Sequence, residues 1–139
     1  VDPEAHALLA LALDALADCV LDLHSCETGP FMICGDPCLP QHLREADFRI
    51  DGALRGKLRE RDLGAKPWTV TAHGEVAGLR ALYWHAAGAL PLIFEGPNGM
   101  HEGNRWSHRE IVDMYLTLFE VLLTIGAHER YRVVRRPTE

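Results

Sequence analysis

The chain has 139 residues, 47% hydrophobic and 24% charged, with a net charge of −6. This is enough for one domain with a real core, and the balance is that of an ordinary globular chain, neither disordered nor fibrous. The acidic balance argues against nucleic acid or an anionic membrane surface as the main partner.

No uninterrupted apolar run approaches the length of a membrane span. The apolar N-terminal segment carries Asp2, Glu4 and Asp14 with no basic stretch before them, unlike a signal peptide. The expected location is cytoplasmic. Of the four cysteines, Cys19 lies in an aliphatic stretch, where a thiol acts as a small hydrophobe. Cys26, Cys34, Cys38 and His42 are separated by seven, three and three residues, without the tight C-x2-C knuckle of structural zinc sites. Reduced thiols are the leading reading, with a local disulfide or a zinc knuckle as alternatives.

In chain order, Asp2-Pro3 opens a helix over 3–17, with leucines and alanines at helical spacing. Residues 18–24, D-C-V-L-D-L-H, read as a strand, and 25–30 as a turn. Residues 31–34 are a short strand or an apolar loop anchor, and the two prolines of 35–40 preclude a regular element. Leu43, Ala46, Ile50, Ala53, Leu54 and Leu58 predict a long surface helix over 41–63, stopped by Gly64. A strand follows over 68–72, then a helix over 75–87 ended by Gly88. Residues 89–95 form a buried strand, followed by a loop rich in glycine and asparagine over 96–105. Ser107-His-Arg-Glu110 is a capping box with Trp106 as its staple, opening a helix that stops at Gly126. Residues 131–134 are a last short strand or a tail.

Helices alternate with strands, without repeat or linker. Residues 1–139 therefore read as a single α/β domain, a mixed, mostly parallel sheet with helices on both faces. Its strands 18–24, 68–72 and 89–95 should bring His24, His73 and Glu95 to one sheet edge.

That edge is where open α/β sheets keep their sites. Glu95 directly follows Leu92-Ile-Phe94, and a charge there is costly to bury unless it is paired or employed. It is either a solvated strand end or a general base. His24, just past a strand, is either bonded to a neighbouring carbonyl or a metal ligand, because zinc takes imidazole nitrogen readily. His73 is an auxiliary candidate. His24-Ser-Cys-Glu27 matches H-x-x-E formally, but a strand exit does not bring the two side chains together as a helical turn would. Gly96-Pro-Asn-Gly99 lacks the lysine of a phosphate loop.

Four stretches together resemble the zinc carboxypeptidase family. Val20-Leu-Asp-Leu-His24-Ser resembles the strand that delivers the family's last zinc-binding histidine. Pro3-Glu4 and its helix fit the element before that strand, and Leu92-Ile-Phe-Glu95-Gly fits the strand carrying the general base. Trp106-Ser-His-Arg-Glu-Ile-Val-Asp113 is similar to the start of the closing helix in bacterial members. The match runs over roughly residues 3–125. It implies a zinc-dependent hydrolase of a peptide or amide bond, with His24 as zinc ligand, Glu95 as base and Tyr83 as a candidate for the family's substrate-facing tyrosine. A related expectation is deacylation of N-acyl amino acids, as in aspartoacylase or succinylglutamate desuccinylase.

The family's upstream H-x-x-E ligand pair and its asparagine–arginine segment have no counterpart here. The chain therefore reads as the C-terminal half of such a domain. Its partners would be a peptide or N-acyl amino acid substrate and a complementing N-terminal half. The competing expectation is a non-catalytic remnant that binds a partner or forms a homo-oligomer to cover its open sheet edge.

Overall fold

The sheet is assembled on β4 (Leu90–Pro97), a proline-, leucine- and isoleucine-rich strand buried along nearly its whole length. The computed structural model describes residues 3–15, 17–26, 30–63, 71–72, 83–84, 87–99 and 106–129. In it, β4 pairs parallel with β1 (Cys19–Cys26) and antiparallel with β2 (Phe31–Cys34). β2 pairs parallel with β3 (Thr71–Ala72), giving the order β1-β4-β2-β3.

Two strands thus run each way. The sheet is mixed, as expected, but not mostly parallel. The reason is the connection after β1. Only residues 27–30 separate it from β2, whereas a parallel return needs a crossover of a dozen residues or more. β2 therefore runs back, and β4, from much later in the chain, inserts between the two.

Among the described residues, α2 (Gln41–Glu60) and α3 (His108–Glu129) pack on these strands, whereas α1 (Pro3–Ala15) leaves its described side chains exposed. On α2, Leu43, Ala46, Ile50, Leu54 and Leu58 recur every three or four residues and are buried, as their spacing predicts; Ala53 is exposed. They meet Leu90, Leu92 and Phe94 of β4, Met32 and Cys34 of β2, and Met114, Leu118 and Val121 of α3 in one core. Both α2 and α3 therefore cover the Phe94 face of the sheet; the helix expected over 75–87 lies mostly outside the described residues.

α2 stops at Glu60, three residues before the end that Gly64 suggests. Asp62 adopts the left-handed conformation (φ 61°), and the Leu63 N–H donates to the Leu58 carbonyl at 2.8 Å, the backbone pattern of a Schellman motif. Gly88 does end its helical turn as expected, with φ 67° and its N–H donating to the Trp84 carbonyl at 2.9 Å.

The capping box of α3 forms as its sequence dictates. The Ser107 N–H donates to Glu110 Oε2 at 2.7 Å, and the Glu110 N–H donates back to Ser107 Oγ at 3.2 Å. The helix continues through Gly126 to Glu129. Arg61 ties α2 to α3, donating to Thr117 Oγ1 at 2.7 Å and pairing with Glu120. α3 also carries Val112, Leu116, Phe119 and Leu123 on its exposed side. By length and composition it could cross a membrane, a feature that a search for uninterrupted apolar runs misses. The strand or tail expected over 131–134 lies outside the described residues.

Candidate functional site

Parallel pairing of β1 with β4 sets Cys19 against Leu90 and carries the register forward to His24 against Glu95. Leu90, Leu92 and Phe94 face the helices, with Cys19 and Leu21 packed against the same core. Because side chains alternate along a strand, His24 and Glu95 belong to the opposite face. Antiparallel pairing places Phe31 beside Glu95 on its other side. The row across the sheet therefore reads His24, Glu95, Phe31, and the row beside it Asp22, Ile93, Ile33. A polar corner at the carboxyl ends of two parallel strands is bordered by apolar side chains.

His24 is half-exposed and held within its own strand. Its Nε2 lies 3.0 Å from Asp22 Oδ2. The hydrogen bond to Asp22 is the main cause raising the His24 pKa above the ordinary histidine value. Partial burial opposes it, while the charges of Asp22 and then Glu95 add to it. The imidazole is thus poised to hold a proton, which a metal ion would have to displace.

Tyr115 reaches the end of β1 from α3, on the Phe94 face of the sheet, opposite the face of the His24 and Glu95 side chains. Its hydroxyl donates to the His24 carbonyl at 3.3 Å, and its ring meets Phe94 edge-on at 5.6 Å between centroids. Burial, then the charges of Glu95 and Cys26, raise its pKa, so it stays protonated as a donor through neutral pH. Gly96 makes this approach possible, since a Cβ there would lie 2.0 Å from the Tyr115 hydroxyl oxygen. Periodicity identifies Tyr115 only as a core position of α3. A glycine directly after Glu95 is the one sequence signal of the close approach.

Tyr83 lies apart from this corner. Tyr83 is buried, and its carbonyl accepts from the Ala89 N–H, at the start of β4 and six residues before Glu95. At about 3.3 Å per residue its backbone is roughly 20 Å from the His24–Glu95 row. Glu27 and His73 lie outside the described residues. However, β3, the strand leading to His73, runs opposite to β1 and β4, so its carboxyl end points away from Glu95. The shared edge expected for His24 and Glu95 exists; β3 does not end there.

All four cysteines are free thiols: Cys34 is buried, Cys19 and Cys26 partly buried, and Cys38 exposed. Among the described residues, no three His, Cys, Asp or Glu side chains come together as a metal-binding group. A zinc site needs at least three protein ligands. The described residues therefore do not by themselves fit the zinc that the family resemblance implies. No family model, no curated protein and no solved structure matches this chain.

Proposed function

We propose that the His24–Glu95 corner is one side of a peptide- or amide-hydrolysing site of the zinc carboxypeptidase type. The observation that carries this reading is the direct pairing of His24 with Glu95 at the carboxyl ends of two adjacent parallel strands. Glu95 acts as general base, accepting the proton of the attacking water and returning it to the leaving amine. His24 serves as one zinc ligand, and the remaining ligands come from outside the described residues, on this polypeptide or another. Phe31 and Ile33 supply apolar surface beside the base. An N-acyl amino acid is the alternative substrate class, as for the related deacylases.

A second reading has its own support. The lack of a three-ligand group among the described residues favours a non-catalytic domain that keeps the fold and binds a partner.

Hydrolysis of peptides and N-acyl amino acids by the zinc-supplied chain and its Glu95→Gln variant decides between them. The substitution keeps size and hydrogen-bonding capacity but removes the base, so the rate should fall about 10²–10⁴-fold. A folded variant with unchanged turnover refutes the base assignment. A wild-type chain with no hydrolysis at all supports the non-catalytic reading.

A further inference from the structure

We infer that α3 joins a second copy of this chain through its exposed side, the two α3 helices packing antiparallel about a two-fold axis between Leu116 and Phe119. The proposal is independent of the hydrolase reading.

α3 carries two apolar stripes. Ile111, Met114, Leu118, Val121 and Ile125 face the core. On the other side Val112 is 41% exposed, Leu116 58%, Phe119 42% and Leu123 74%. A surface helix needs one apolar stripe, and a helix apolar on both sides is normally buried on both. The outer four are spaced by four, three and four residues, the a/d pattern of a seam between two helices. Taking about 150–250 Å² for a large apolar side chain, their exposed fractions leave on the order of 400 Å² uncovered. Two copies meeting there bury roughly 800 Å² from the seam alone, and the flanks raise the total toward the ~1,200 Å² of the smallest specific interfaces. That area suits a dimer of roughly micromolar strength.

The spacing and the flanks select the occupant and its direction. Four, three, four reads the same both ways along the helix, so the seam is complementary to its own reverse. Leu116 then meets Phe119 of the partner subunit, and Val112 meets Leu123 of the partner subunit. One flank of the seam is charged: Arg109 lies 3.8 Å from Asp113, and Arg61 of α2 pairs with Glu120. The other flank is apolar, with Tyr115 and Leu122 partly buried against the core. An antiparallel pair lays charged flank on charged flank and apolar on apolar. A parallel pair would set Arg61 and Glu120 against Tyr115 and Leu122 of the partner subunit, which matches nothing.

In the antiparallel register Asp113 comes beside Arg61 of the partner subunit, between its own Arg109 and the carboxylate that Arg61 holds. Symmetry repeats this pairing on the same flank, so the charges complement a copy of the same surface. Lipid is the poorer occupant. Helices that lie in a membrane surface carry Lys and Arg beside the apolar stripe, whereas this stripe is bordered by Asp113 and Glu120 in a chain of net charge −6.

Sedimentation equilibrium of the chain at about 1–100 μM tests this, with circular dichroism to verify folding. The expected result is a monomer–dimer equilibrium within that range. Leu116→Ala, at an exposed position the fold tolerates, should weaken it roughly 10- to 100-fold, since each copy loses one apolar side chain from the seam. Leu116→Glu should abolish it. In a Cys38→Ser background, a Val112→Cys chain should form a disulfide with a Leu123→Cys chain but not with itself, because eleven residues of helix, about 16 Å, separate the two positions. A monomer throughout overturns the proposal, as does a dimer unmoved by Leu116→Glu or a Val112→Cys chain that cross-links to itself. A monomer that sediments with phosphatidylcholine vesicles, and ceases to in Leu116→Glu, overturns it in favour of lipid.

Discussion

Replacing Gly96 with alanine tests the packing of Tyr115 over the end of β4 at its tightest point. The new Cβ would lie 2.0 Å from the Tyr115 hydroxyl oxygen and 2.7 Å from its Cζ, both closer than real Cβ contacts allow. Gly96 lies inside β4 and is not among the positive-φ glycines, so the backbone accepts alanine without strain. Without the ring, the change would therefore stabilise by about 0.4–1 kcal/mol through the unfolded chain. With the ring present, Tyr115 must swing out. It then gives up the bond to the His24 carbonyl, worth about 1 kcal/mol, and the edge-on contact with Phe94, worth a similar amount. Overpacking of this kind typically costs about 1–3 kcal/mol, and the expected net loss is about 2 kcal/mol. In a chain of this size that lowers Tm by roughly 6–10 °C. Urea unfolding of Gly96→Ala, Tyr115→Leu and the double variant measures the coupling. The cost of Gly96→Ala should largely disappear once Tyr115 is leucine. A cost below about 0.5 kcal/mol with Tyr115 in place, or one unchanged by Tyr115→Leu, refutes the clamp.

In Asp22→Asn, the NMR-titrated pKa of His24 should move down toward the ordinary histidine value, and no movement would remove Asp22 as its main partner. Because folding raises this pKa, the pair adds stability below the unfolded-state value, and that stability is lost as pH rises through the folded one. The gain is small, since His24 is half-exposed. Burial first, then Asp47 and Asp18, raise the Cys19 pKa to about 12. Iodoacetamide at pH 8 should therefore label exposed Cys38 much faster than Cys19, and equal rates would contradict the burial. The same shift has stability declining from about pH 9 toward pH 12, as the unfolded thiol ionises first. Dialysis against a chelator should strip zinc from the isolated chain, because among the described residues no second and third ligand join His24. Retention of one equivalent would place further ligands in residues 27–29, 64–70, 73–82 or another undescribed part of this chain, or in a second copy.

Local chemistry made much of this protein legible from its residues alone. The capping box of α3, the buried stripe of α2 and the aliphatic run of β4 each depend on neighbours a few positions away, and all three form as their spacing dictates. His24 and Glu95 were recognisable because each ends an aliphatic run that only a strand accommodates. What periodicity does not encode is direction and neighbourhood. Turn chemistry could have predicted the reversal of β2, since residues 27–30 are too few for a crossover, but alternation of elements alone suggested a mixed, mostly parallel sheet. The placement of Tyr83 at the far end of β4, and the approach of Tyr115 over Gly96, join residues distant in sequence and arise only when strands and helices pack. The tertiary structure likewise brought Asp22 and His24 together beside Glu95: alternation sets the first two on one face of β1, and the register with β4 adds the third.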